Sequence, residues 1–274
     1  MSDYYFIRNP NTKKWVISAP KREQRPDVAK GGKSVDPFCP GNETAAPLEV
    51  YRIGRGGPMS KDWDVRVIPN KFPFAPTHEI IIHSPDHNKN FDELPLAHVR
   101  KILQVYRFRF QTHCKAGFVY IFHNHGRSGG ESIPHPHTQL AVLPFKLPVL
   151  AEQLGVVDNE IVRTKFFQVF APLYSAWPYE VWVAPEKRGR LFGDLEDDEL
   201  EEFSEIIQKV LITLRKKYGK EFPFNFYIYP SKDWYWRVIP RVKTIGGFEL
   251  SSQIFVNSTD PEEVRTYLRK NLEL

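Results

Sequence analysis

His135 and His137 flank Pro136 and lead directly into Thr138, Gln139 and Leu140. Upstream stand Phe122, His123, Asn124, His125 and Gly126, then Gly129, Gly130, Glu131 and Ser132. A neutral imidazole is a competent nitrogen nucleophile near pH 7. Carboxamide, hydroxyl and glycine N–H groups can hold the oxygens of an anion. These residue types suit attack on a phosphorus atom, and nothing else in the chain offers a comparable nucleophile. All nine histidines lie between His78 and His137; the first 77 residues and the last 137 contain none. His98 and His113 read as surface residues of a strand or helix. On an extended strand His135 and His137 share a face. Pro136 between them points to an edge strand or a strand entrance.

The elements that must carry these residues follow from periodicity. Lys14–Ala19, Asp64–Ile68 and Glu79–His83 read as strands, and residues 20–62, rich in Pro, Gly and Lys, read mostly as loop. Leu96, Val99, Leu103, Tyr106 and Phe110 recur at helical spacing. Gly117–His123 and Thr138–Leu143 are again strand-like. The second half repeats the order. Lys165–Ala171 and Glu180–Ala184 are strands, and a helix spans Glu196–Tyr218 with an acidic first turn, a basic last turn and Gly219 as its stop. Phe224–Tyr229, Trp236–Ile239 and Leu250–Val256 are expected to complete a sheet. A last helix starts at Asp260 as cap with Pro261 in its first position. Glu79–Pro85 followed by Phe91–Leu94 also echoes Glu180–Pro185 followed by Phe192–Leu195. A spacing near 100 residues indicates a duplicated α+β domain rather than a solenoid. Only the first copy carries histidines, so one half reads as catalytic and the other as structural or substrate-shaping.

Composition sets limits. The 274 residues are 41% hydrophobic and 14% aromatic, enough for a substantial core. No run of 18 apolar residues exists, so no transmembrane helix is expected and no membrane partner. The start lacks signal-peptide character, and two cysteines, Cys39 and Cys114, argue against a disulfide framework. A cytoplasmic location is expected. The formal charge of +5 suits an anionic partner. Without a recognition-helix or zinc-finger pattern, a phosphorylated small molecule is favoured over nucleic acid.

Several segments together resemble the galactose-1-phosphate uridylyltransferases, the duplicated branch of the histidine-triad superfamily. They are Trp15 through Pro26, Asp36 through Glu43, Val65 through Pro73, Ser84 through His87, Asn124 with Gly126, Gly130 with Ser132, His135 through Gln139, and Gly247 through Leu250. The resemblance covers nearly the whole length. It implies an α+β fold of two tandem histidine-triad-like domains, with antiparallel sheets packed with helices. Residues 1–150 would form the catalytic domain, and residues 151–274 a second domain without catalytic histidines.

The resemblance also assigns roles. His137 would attack the α-phosphorus of UDP-glucose or UDP-galactose, giving a uridylyl-histidine that a hexose 1-phosphate then discharges. Gln139 and Ser132 would assist. Arg22, Arg25, Asn70, Asn124, Gly126, Gly130, Lys243, Glu249 and Gln253 would contact substrate, in a homodimer with shared active sites. Gln139 stands where related hydrolases carry a third histidine. An amide can hydrogen-bond a phosphoryl oxygen but cannot shuttle a proton, which favours transfer over hydrolysis. Alternatives are a phosphorylase acting on ADP-glucose or a dinucleoside polyphosphate, and a non-catalytic nucleotide-binding regulator. The family's structural zinc would be held by Asp36, Cys39, His87 and His135, with Asp36 in place of a cysteine. A second metal site is not expected, because Tyr229, Asp233 and Tyr235 lie near the places where its histidines would be.

Overall fold

The computed structural model describes residues 3–25, 35–146 and 158–274. The expected domain boundary between residues 150 and 151, and Pro26, lie outside the described residues. Twelve strands are present among these: β1 (Tyr5–Arg8), β2 (Trp15–Ser18), β3 (Tyr51–Gly54), β4 (Trp63–Pro69), β5 (Thr77–Ile82), β6 (Phe118–His125), β7 (His137–Leu143), β8 (Glu160–Arg163), β9 (Phe167–Phe170), β10 (Val181–Pro185), β11 (Phe224–Ile228) and β12 (Trp236–Pro240). The helices are α1 (Leu96–His113), α2 (Asp197–Tyr218), α3 (Gly247–Ser252) and α4 (Pro261–Asn271).

Strands β1 and β2 form a separate hairpin. The other ten make one antiparallel sheet in the order β3-β4-β5-β7-β6-β11-β12-β10-β9-β8. The order is self-mirroring about the β6–β11 seam. Each half contributes three strands, a helix and two strands, and β5 corresponds to β10, the two segments whose sequences echo one another.

Alternation along β7 divides the two faces. Leu140 and Val142 join the core beneath α1 and α2, while Ala141 and Leu143 pack on the opposite face with Phe6 and Ile17 of the hairpin. His137 and Gln139 share the parity of Ala141 and therefore lie on the helix-free face. The halves interlock through α2: Gln208 donates to the carbonyls of Phe91 and Leu94 at 2.9 and 2.7 Å, and Arg215 pairs with Asp92 at 2.9 Å.

Helix α2 begins with the Glu199 carboxylate accepting the Glu196 N–H at 2.8 Å and ends at Gly219, with φ +92°. The Asp260 carboxylate caps α4 by accepting the Glu262 N–H at 2.7 Å. Leu250–Val256, expected as a strand, instead begins within α3 and continues outside any sheet. Strand β12 already has β11 and β10 on its two sides, so no edge beside it can accept another strand. Glu249 accepts the Gly246 N–H at 3.2 Å, which helps start the helical turn, and Leu250, Ile254 and Val256 stay exposed. Strand β3 lies within the expected 20–62 loop; β1, β3 and β8 are four-residue strands with little periodic signal.

Candidate active site

Pro136 stands at the entrance to β7, which is an interior strand between β5 and β6 rather than an edge. His137 pairs with Ile82 on one side, and Thr138 with His123 on the other. The His137 imidazole is buried, and its Nδ1 lies 2.8 Å from the His135 carbonyl oxygen. A carbonyl can only accept, so Nδ1 carries the proton and Nε2 keeps the lone pair. Burial lowers the pKa of His137 below 6.5, against an opposing contribution from the bond to His135. A neutral imidazole at neutral pH is the result. Behind it, His123 Nδ1 is 2.8 Å from the His137 carbonyl and fixes the backbone at that point.

His137, Gln139, Ser132, Asn70 and Arg25 line a single cavity of about 280 Å³, whose apolar walls include Phe38, Phe72 and Ile133. Such a mixture of apolar wall and a few convergent polar groups is characteristic of small-molecule sites. Arg22 stands next to this group but does not line the cavity. Its guanidinium donates to the Phe72 carbonyl at 2.6 Å and lies over the Phe74 ring. Burial, and then the nearby Arg25 charge, lower its pKa to about 10, so it remains cationic at neutral pH.

The glycine loop is held from behind. Gly126 and Gly130 take φ of +72° and +82°. A Cβ on Gly126 would stand 2.9 Å from Pro223. The Gly126 N–H donates to Glu131 at 2.8 Å, and Gly126 borders a second, polar cavity together with His125 and His87. Neither Gly126, Gly130 nor Asn124 lines the His137 cavity. Lys243 and Glu249 pair with each other at 2.7 Å, and Gln253 donates to the Leu250 carbonyl; these three also stand outside that cavity.

Asp36, Cys39, His87 and His135 converge, with one ligand atom from each within 4.8 Å of the others. Asp36 Oδ2 lies 2.6 Å from His87 Nδ1, 2.9 Å from His135 Nδ1 and 3.0 Å from Cys39 Sγ. The chemistry of this set fits a cation. His135 Nε2 is 2.8 Å from the Ser84 carbonyl and must donate to it. In a neutral ring Nδ1 is then an acceptor facing a carboxylate oxygen, and a bound cation resolves that repulsion. A proton on His135 Nδ1 relieves the same repulsion: burial would raise the Asp36 pKa, but bonds from protonated His135 and from Cys39 outweigh it and hold the carboxyl well below the usual range. Burial and Asp36 push the Cys39 thiol up to about 12. Tyr235, by contrast, stacks on Trp182 and on Tyr229 in an aromatic cluster, and Asp233 accepts from Arg188 and the Gly189 N–H.

One participant is absent from the motif reading. His78 on β5 is buried, with its Nε2 3.0 Å from Gln139 Oε1. The visible signal is a histidine in the polar first half of β5, between Thr77 and Glu79 and two positions before Ile80.

Residues 75–145 match the model of the galactose-1-phosphate uridyl transferase family, N-terminal domain. An ADP-glucose phosphorylase of Arabidopsis thaliana is 23% identical over 96% of this chain and 92% of its own. A galactose-1-phosphate uridylyltransferase of Thermotoga maritima is 23% identical over 96% of each chain. The crystal structure of the Arabidopsis phosphorylase with bound ADP-glucose superposes with a TM-score of 0.77, at 23% identity, covering 97% of this chain and 99% of that one. A uridylyltransferase structure gives 0.79 at 22% identity, covering 98% of both. A ten-stranded antiparallel sheet built twice from one motif, with His137, Thr138 and Gln139 on an interior strand, defines a duplicated α+β fold. The chain's likeness to the galactose-1-phosphate uridylyltransferases is carried by residues 75–145 and by a relative 23% identical over nearly the full length.

Proposed function

We propose that the protein is a UDP-glucose–hexose-1-phosphate uridylyltransferase working by double displacement through His137. The observation that carries this reading is the Nδ1 contact with the His135 carbonyl, which leaves a neutral Nε2 in a cavity shared with Gln139, Ser132 and Arg25. Nε2 attacks the α-phosphorus. An N–P bond forms, the bond to the bridging oxygen breaks, and hexose 1-phosphate leaves as a stable anion without a strong general acid. The imidazole is then cationic, and the His135 carbonyl stabilises its Nδ1–H. A phosphate oxygen of a second hexose 1-phosphate attacks the same phosphorus, the N–P bond breaks, and neutral His137 returns. The Gln139 amide and Ser132 hydroxyl donate to phosphoryl oxygens, while Arg25 and Arg22 offset their charge.

The catalytic unit corresponds to residues 1–150 and its companion to residues 151–274. Asn70 would face the nucleoside, and Asn124, Gly126 and Gly130 would shape the phosphate loop. Lys243, Glu249 and Gln253 stand apart from the His137 cavity of their own chain, which supports a homodimer in which they serve the partner subunit's site. Asp36, Cys39, His87 and His135 would hold zinc, which would fix the approach to β7 by bracing His135 two residues from the nucleophile.

A second reading has a specific observation behind it: the near full-length likeness to an ADP-glucose phosphorylase. Intact-protein mass spectrometry after separate incubation with UDP-glucose and ADP-glucose decides between them. A UMP adduct lost in His137→Ala and discharged by galactose 1-phosphate is the expected result. An AMP adduct discharged by inorganic phosphate assigns the phosphorylase activity instead. No adduct with either donor overturns both.

A further inference from the structure

We propose that His78 is a positioning residue that sets which end of the Gln139 carboxamide faces the reacting phosphorus. The inference rests on the nucleotidyl-transfer reading above and deepens it. His78 pairs with Ala141 across β5 and β7, and Ile80 with Gln139, so His78 and Gln139 are diagonal neighbours. The two ring nitrogens of His78 meet different partners. Nδ1 lies 3.4 Å from the Phe74 backbone nitrogen, whose N–H can only donate. Nδ1 is therefore the acceptor, and in a neutral ring Nε2 carries the proton.

That proton has a clear destination. Gln139 Oε1 is 3.0 Å from His78 Nε2 and accepts it. With its oxygen held, the carboxamide turns its NH₂ group toward the cavity that Gln139 lines with His137. The opposite tautomer would draw the Gln139 nitrogen toward His78 and present a carbonyl oxygen to an anionic phosphate. It would also set Nδ1–H against the Phe74 N–H.

Asn70 stands beside the same ring nitrogen, with its Nδ2 3.2 Å from His78 Nε2. With Nε2 protonated both are donors, so the Asn70 amide is fixed by its Oδ1, which accepts the Phe72 N–H at 2.9 Å, and not by His78. Burial, aided by the Arg22 and Arg25 charges and opposed by the Gln139 bond, pushes His78 down to about 4. The ring therefore stays neutral throughout the working range.

Two measurements test the inference. Long-range ¹H–¹⁵N spectra of the full chain labelled with ¹⁵N-histidine report the tautomer directly, with His78 assigned by its disappearance in His78→Gln. The expected result is an Nε2–H ring that does not titrate between pH 7.5 and 5.5; an Nδ1–H ring overturns the inference. The second measurement is the rate of adduct formation on His137. His78→Ala should slow it about tenfold or more, and His78→Gln, which can still donate to Gln139 Oε1, should recover most of that loss. In a Gln139→Ala background His78→Ala should change the rate less than twofold. Equal slowing in both backgrounds overturns the positioning role. A parent protein that forms no adduct at all would discard the transfer reading, while the spectra still decide the orientation of the Gln139 amide.

Discussion

Asn225 on β11 faces Asn124 on β6 across the centre of the ten-stranded sheet, and Asn225 Nδ2 donates to Asn124 Oδ1 at 2.8 Å. The same nitrogen reaches the Gly129 carbonyl at 2.7 Å, while Arg241 donates to Asn225 Oδ1 at 2.9 Å. A residue of the second half therefore holds the glycine loop of the first. The half without histidines contributes to the site by fixing the loop that leads to His137.

Replacing Asn225 with Ala should accordingly affect both stability and rate. It leaves the Gly129 carbonyl and Arg241 without this partner, at a cost of about 1–3 kcal/mol. Denaturant melts would measure the stability loss, and the rate of His137 adduct formation should fall alongside it. A full rate with reduced stability would separate the loop from the chemistry.

The proposed nucleophile, His137, should show a low acid limb. His137 must be neutral to attack, and burial keeps its pKa below 6.5. Its adduct-forming rate should hold as pH falls from neutrality to 6.5 and decline only below that. A decline centred above 6.5 would mean that the imidazole is not shielded as the structure indicates.

Metal content is a separate matter. One equivalent of zinc per chain is expected by elemental mass spectrometry, and Asp36→Ala should lower it. Stripping the ion leaves His135 Nδ1 and Asp36 Oδ2 at 2.9 Å with no cation between them. The melting temperature should then drop by about 5 °C or more. Metal-free protein with unchanged melting would remove the zinc assignment.

Stability should fall in mild acid. An unfolded histidine takes up its proton near 6.5, whereas folded His78 does so only near 4. Between these values the unfolded chain binds more protons, so lowering the pH favours unfolding. His78 alone contributes on the order of 3 kcal/mol across that window, and the fully buried His83 and His123 act in the same direction. Urea melts at pH 7.5 and 5.0 cover the upper part of that window, where His78 should account for about 2 kcal/mol, and the difference should shrink in His78→Gln.

Much of the framework was legible because it is local. Helix α2 shows its stripe, its charge order and Gly219; β4, β5, β10 and β12 show apolar runs of strand length. Leu250–Val256 shows why local signals are insufficient. Its composition suits a strand, but β12 is already paired on both sides, and edge availability is a property of the whole sheet. His78 escaped for a related reason. Its role depends on Phe74 and Gln139, and Gln139 is 61 residues away in sequence.

By itself, the sequence determined the strand alternation around His137 and the duplication of the motif, because parity and a repeated pattern are properties of short segments. The set Asp36, Cys39, His87 and His135 came only with the family resemblance, and the tertiary structure brought those four residues together. Only the tertiary structure decided which of the named residues share the cavity, which nitrogen of His137 is left free, and that β11 braces the glycine loop. Those outcomes depend on which carbonyls and amides from distant segments meet a given side chain, and strand pairing across the whole sheet sets that.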